Sequence, residues 1–164
     1  MQQHPYSGRM KIFANHDEVT ASVGQAVPPT DWVTITQAQI DQFAQATGDH
    51  QWIHTDPERA AQGPFGTTVA HGFLTLSLLA RFMGEAFGVQ GTQMGINYGL
   101  NRVRFPSPVP VGSRLRAHLK LLAAEPLPGN GLQMTWEVSV ERGGADKPAC
   151  VAEALVRTYG APDY

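Results

Sequence analysis

The chain is poor in charge and nearly free of cysteine, and each shortage excludes something. Of its 164 residues only 16% are charged, and twelve Lys plus Arg stand against fourteen Asp plus Glu for a formal charge of -2. That leaves no polycationic surface for nucleic acid. Cys150 is the single cysteine, so neither an intramolecular disulfide nor a cysteine-built zinc site is available, which fits a reducing compartment. The first fifteen residues are polar and mixed, without a charged-then-apolar leader pattern, and a cytoplasmic protein is expected. The longest apolar stretch, 69–87, contains His71, Arg81 and Glu85, so it reads as a buried helix rather than a membrane span.

What is present is enough for a core. Hydrophobic residues make up 42% of the chain, which argues for one folded domain over 1–164, with residues 1–15 as an N-terminal arm holding at most a helical turn near Arg9–Ala14. Trp32–Thr36 alternates and is β-branched, the pattern of a short strand. A helix follows, opened by the Thr36/Gln39 capping-box pair and closed at Gly48. Residues 49–68, punctuated by Pro57, Gly63, Pro64 and Gly66, read as loop with a turn of helix at Asp56–Ala61. Val69–Phe87 is apolar on nearly every face and is expected to form a central helix, with Ser77 in the core.

Four strands are expected beyond it, at Gly95–Phe105, Ser113–Ala123, Leu132–Glu141 and Ala149–Tyr159. Leu115, Ala117, Leu119 and Leu121 alternate with Arg114, Arg116, His118 and Lys120, so one face is core and the other wet. Leu132, Met134, Trp136, Val138 and Val140 form a second inner row, and Gly129-Asn130-Gly131 and Gly143-Gly144 supply turns. One long helix and an antiparallel sheet make an α+β fold in which the sheet curves around the helix.

Two segments concentrate chemistry. In Asp49-His50-Gln51-Trp52-Ile53-His54, a carboxylate and an imidazole five residues apart can converge on one small molecule such as water. An isolated pair at this spacing is ordinarily a capping aspartate and a histidine satisfied by backbone, and His50, His54 and His71 offer an alternative metal set. The second segment, Gly63 to Gly72, is a glycine-rich loop entering the apolar helix. Its backbone amides and positive dipole end could receive a developing oxyanion at Gly72, while His71 either backs the site or is a satisfied core histidine. Neither a phosphate-binding loop nor a nucleophile elbow is present.

Taken together, Asp49-His50-Gln51-Trp52-Ile53-His54, Asp56 with Ala60-Ala61, and Val69-Ala70-His71-Gly72 resemble the MaoC-like dehydratase family, the single-domain hot-dog proteins that include (R)-specific enoyl-CoA hydratases. Gln51-Trp52 replaces the family's Asn-Pro. The chain here is similar to the nodulation protein N-like branch, as it is at Gly95–Leu100 and Arg104–Gly112. The resemblance spans about Trp32 to Val156. It implies a hot-dog fold, an edge-to-edge homodimer that could assemble further, and hydration of trans-2-enoyl-CoA to (R)-3-hydroxyacyl-CoA in fatty acid metabolism. It also implies Asp49 and His54 as the catalytic pair and Gly72, beside His71, as the oxyanion and substrate contact.

Coenzyme A enters as part of the substrate, and no separate cofactor or metal is expected. Arg102, Arg104, Arg114, Arg116 and Lys120 are candidates for its phosphates, although any single one of them fits a solvated sheet face better. A hot-dog thioesterase, attacking the carbonyl carbon instead of C3, and a non-catalytic acyl-thioester binder are the alternatives.

Overall fold

The computed structural model describes residues 9–161; residues 1–8 of the expected arm, and 162–164, lie outside them. Near the N-terminus Lys11–Phe13 forms strand β1 rather than a helical turn, and His16–Ala21 forms helix α1, capped by the Asn15 side chain. Strand β2 is Val33–Thr34. Helix α2 covers Gln37–Thr47 with both bonds of the capping box made, and Gly48 closes it in the left-handed region (φ 79°). Two short helices, α3 at Trp52–Thr55 and α4 at Pro57–Ala61, occupy part of the expected loop.

The central helix begins three residues later than its apolar pattern suggests. It runs as α5 (Gly72–Ser77) and α6 (Leu79–Ala86), joined at Leu78, whose amide still reaches the Leu74 carbonyl. Val69 and Ala70 are held extended instead, Val69 bridging to Pro110 and the Ala70 N–H donating to the Val109 carbonyl. Ser77 is exposed, not core, and its hydroxyl donates to the Phe73 carbonyl.

Strand β3 (Phe87–Val89) pairs in parallel with β1. The main sheet contains β4 (Met94–Arg104), β5 (Arg114–Leu127), β6 (Gly131–Arg142) and β7 (Cys150–Tyr159), in the order β2-β5-β6-β7-β4 and antiparallel throughout. Its inner rows are the two read from the alternation, and they close over α6, where Phe82 is fully buried. The Phe87 and Trp136 rings stack with centroids 4.4 Å apart. This is the expected α+β hot-dog arrangement, a sheet curled around a helix. Among the described residues no helix is long and apolar enough to cross a membrane.

The sheet's two edges differ. Along β5, the segment from Gly24 to Thr30 supplies backbone bonds, including Val27 N–H to Leu119 O and Thr30 N–H to Ala117 O. On β4, Met94, Ile96, Tyr98 and Leu100 are exposed.

Candidate functional site

The site is assembled where α2 ends, α3 turns and the central helix begins. Gly48, left-handed, turns the chain out of α2 and delivers Asp49 to the surface, where its side chain accepts from the Gln51 N–H at 3.4 Å. One residue after that turn, α3 carries His54 inward until it is only 7% exposed. Asp56 then ends α3 and caps α4, accepting from the Arg59 N–H at 3.1 Å.

His54 meets the extended segment before α5 on two adjacent backbone groups. The Val69 N–H donates to the Ile53 carbonyl (3.0 Å), and His54 Nδ1 donates to the Val69 carbonyl (2.7 Å). A carbonyl can only accept, so Nδ1 carries the proton and Nε2 keeps its lone pair. His71, 2% exposed, donates from Nε2 to the Asp49 backbone carbonyl at 3.0 Å, leaving its buried Nδ1 without a partner among the described residues. The two imidazoles stack at 3.8 Å between centroids and 23° between planes, with the Phe43 ring 4.9 Å from His71. Burial pushes the His54 pKa below its ordinary 6.5. Its bond to Val69 and the Asp49 carboxylate oppose that shift, the neighbouring His71 ring adds to it, and burial prevails, so the ring stays neutral at neutral pH.

Asp49, His54 and His71 bring one polar atom each within 4.8 Å of one another, so Asp49 takes the place of His50 in the metal set that the sequence offered. Zinc would need its donors converging to about 3.3 Å from each other. His54 Nδ1 and His71 Nε2 are each already bonded to a backbone carbonyl, so His54 Nε2, His71 Nδ1 and the Asp49 carboxylate are the atoms left for a ligand.

Gly72 opens α5, and no hydrogen bond among the described residues engages its amide. A Cβ there would lie 3.1 Å from two atoms of the Phe105 ring. Gly72 borders a hollow of about 280 Å³ lined also by Phe65, Thr75, Phe105 and Pro108.

The arginines divide. Arg102 faces Glu153 across the β4–β7 ladder, and Arg104 follows on the same strand next to Phe105. Arg114 and Arg116 belong to a separate cluster, both stacked over Trp32 (4.9 and 4.4 Å), with Arg116 ion-paired to Glu141 at 2.6 Å. His118 also reaches Glu141 (2.7 Å), and Lys120 sits opposite Glu137. Arg116, then His118, hold the Glu141 carboxyl below the usual carboxylate range. Two residues that the sequence did not single out, Gln37 and Thr68, bond to each other, and the Gln37 amide also donates to the His54 carbonyl.

A family profile described as MaoC like domain matches residues 18–145. The chain is 55% identical to 3-hydroxyacyl-thioester dehydratase Z of Mycobacterium tuberculosis, over 90% of this chain and 98% of that protein. It is 47% identical to nodulation protein N of Rhizobium leguminosarum bv. viciae, over 82% and 85% respectively. Among solved structures, the R-hydratase PhaJ1 of Pseudomonas aeruginosa superposes with a TM-score of 0.69 at 27% identity, covering 91% of this chain and 88% of that one. With the profile covering most of its length and a relative matched nearly end to end, the chain belongs to the MaoC-like dehydratase family.

Proposed function

We propose that the protein catalyses reversible hydration of a trans-2-enoyl thioester of coenzyme A to the (R)-3-hydroxyacyl thioester, as a hydro-lyase of fatty acid metabolism. The observation that carries the reading is the fixed tautomer of His54: with Nδ1–H committed to the Val69 carbonyl, Nε2 can only accept, beside the exposed Asp49 carboxylate. A water between them donates one hydrogen to each, and its remaining lone pair adds to C3. Asp49 takes the proton and returns it to C2 on the same face, so atoms and charge balance over the cycle. As C3 is attacked, enolate charge gathers on the thioester oxygen, and the Gly72 amide, with the dipole of the helix behind it, receives it. Named relatives add weight, since one is a 3-hydroxyacyl-thioester dehydratase and a structural neighbour an R-hydratase.

The acyl chain has an apolar course to follow. From Leu76, one turn beyond Gly72, a groove of about 190 Å³ lined by Ala80, Met83, Leu100 and Val156 runs between α6 and the β4–β7 pair. Arg102 and Arg104, on the same edge as this groove, are the better-placed partners for the coenzyme A phosphates, because Arg114 and Arg116 are engaged with Trp32 and Glu141. The β4 edge, which no other strand among the described residues covers and where Met94, Ile96, Tyr98 and Leu100 are exposed beside that groove, is where a second copy completes a homodimer. The reading needs no cofactor, metal, nucleic acid or membrane partner, and a cytoplasmic location suits it.

The test follows enoyl absorbance and free thiol in parallel, with crotonyl and longer trans-2-enoyl coenzyme A esters. Absorbance loss without thiol is the expected result, and Asp49→Asn and His54→Ala should each lower turnover by about 10²–10⁴-fold. Thiol release would make the protein a thioesterase. Saturable ligand-dependent thermal stabilisation with neither signal would make it a binding protein.

A further inference from the structure

We propose that Gln37 and Thr68 are positioning residues for His54, forming a polar bracket that fixes the imidazole from the main chain on both sides. This rests on the hydration reading for its kinetic consequence but not for its geometry. Gln37, in the first turn of α2, donates from its side-chain amide to the His54 carbonyl at 2.8 Å and to the Asp41 carboxylate at 2.9 Å. Its amide oxygen accepts from the Thr68 hydroxyl at 2.5 Å. A flipped amide would set its oxygen against two acceptors, so a single orientation survives. Thr68 is 1% exposed, and its carbonyl accepts from the Val111 N–H at 2.9 Å, which anchors it to the loop leading into β5.

The two ends of this bracket are the two ends of His54. One arm holds the carbonyl of His54 itself. The other holds Thr68, the residue before Val69, whose carbonyl takes the Nδ1 proton. The His54 backbone and the acceptor of its ring are thus tied together by one glutamine from a third element, 17 residues upstream of His54 and 31 upstream of Thr68. Asp41 helps hold that amide and so belongs to the same bracket. If the bracket opens, Val69 and α3 can separate, the Nδ1 proton loses its fixed acceptor, and Nε2 no longer points consistently at the water.

The bracket predicts a split that simple support of the fold would not produce. Thr68→Val keeps shape and removes the hydroxyl, Gln37→Met keeps length and removes the amide, and Thr68→Ser restores the donor. In the uniformly 15N-labelled protein without substrate, the ring nitrogens of His54 should report the single Nδ1–H form in wild type and Thr68→Ser, and exchange between the two forms in Thr68→Val and Gln37→Met. With crotonyl coenzyme A, the last two variants should lose roughly 10–10²-fold in kcat while KM stays within about twofold, and Thr68→Ser should recover most of kcat. An unchanged His54 tautomer in Thr68→Val, with the variant folded by its near-ultraviolet circular dichroism, overturns the proposal. Were the wild-type protein inert towards enoyl esters, the tautomer measurement would still decide the bracket while the hydratase reading alone fell. A loss of thermal stability with tautomer and kcat unchanged reduces both residues to ordinary support and also overturns it.

Discussion

Gly72→Ala separates the needs of the fold from those of the chemistry. Gly72 is not in the left-handed region, so alanine fits its backbone, and a methyl group in a helix contributes about 0.5–1 kcal/mol over glycine. Against that, the added Cβ would sit 3.1, 3.1 and 3.3 Å from three atoms of the Phe105 ring, where about 3.5–4.0 Å is comfortable for carbon against carbon. The ring must retreat by a few tenths of an ångström. It can do so, because Phe105 is 41% exposed and its edge-on neighbour Phe73 is 68% exposed. The two effects nearly cancel, and the melting temperature should stay within about 4 °C of wild type. Activity has no such compensation. An oxyanion must come within about 2.7–3.1 Å of its donor, and a methyl group beside the amide holds the thioester oxygen away by about 1 Å, worth roughly 10–10²-fold in kcat/KM. Loss of enoyl absorbance against substrate concentration measures this, beside a thermal melt. Wild-type kcat/KM in a folded Gly72→Ala protein would remove the Gly72 amide from the mechanism. Recovery of activity in Gly72→Ala/Phe105→Ala would trace the defect to the displaced ring instead.

Further perturbations reach other parts of the same reasoning. His54 has its pKa depressed below 6.5 by burial, so at neutral pH it is uncharged both folded and unfolded; as pH falls through 6.5 the unfolded chain takes the proton first, and stability declines until the folded pKa is passed. The acid limb of kcat/KM should accordingly begin below pH 6.5, and urea titrations from pH 7.5 to 5 should show a decline in stability that is shallower in His54→Ala. Cys150, fully buried with its thiol pKa pushed up to about 11, should react with a disulfide reagent at pH 8 only in denaturant, and rapid native labelling would contradict its place in the sheet. Trp136→Ala should cost about 3–5 kcal/mol, whereas Trp136→Phe should cost under about 2 kcal/mol, because it also removes a buried indole N–H that has no partner. Neutralising Arg102 with Arg104 should raise KM for a coenzyme A ester more than for the matching pantetheine ester, while neutralising Arg114 with Arg116 should not; equal effects on both esters would end the phosphate role.

The parts of the fold legible in the sequence are those whose cause is local. The α2 helix carries its own start and stop, and both capping-box bonds and the left-handed Gly48 are present. Strands β5 and β6 announce an inner and an outer face because a sheet with one wet side imposes a period of two. The Asp49–His54 catalytic pair is implied by the family resemblance rather than by spacing, because the same spacing fits a capping aspartate and a histidine satisfied by backbone. What the sequence hid depends on distant partners. Lys11–Phe13 has too few residues for a period and becomes a strand only because Phe87–Val89 offers an edge. Thr68 and Gln37 are 31 residues apart on unrelated elements, and neither carries a signal until the chain brings them together.

The late start of the central helix shows how that long-range pairing creates the site. By composition, 69–87 is one apolar helical stretch, and a helix beginning at Val69 would turn the Val69 carbonyl towards the Phe73 amide. Backbone bonds from Ala70 to Val109 and from Val111 to Thr68 hold the segment extended instead. The delay frees two things at once. The Val69 carbonyl faces His54 and fixes its tautomer, and the helix's first unpaired amide falls on Gly72, where the absence of a Cβ leaves it open. Had the helix followed its own pattern, His54 would have lost its acceptor and Gly72 would have lain one turn inside with its amide already bonded. The bond that orients the His54 ring and the open Gly72 amide therefore depend on the same three residues of overridden helix propensity, and a change that lets α5 grow backwards to Val69 should remove both together.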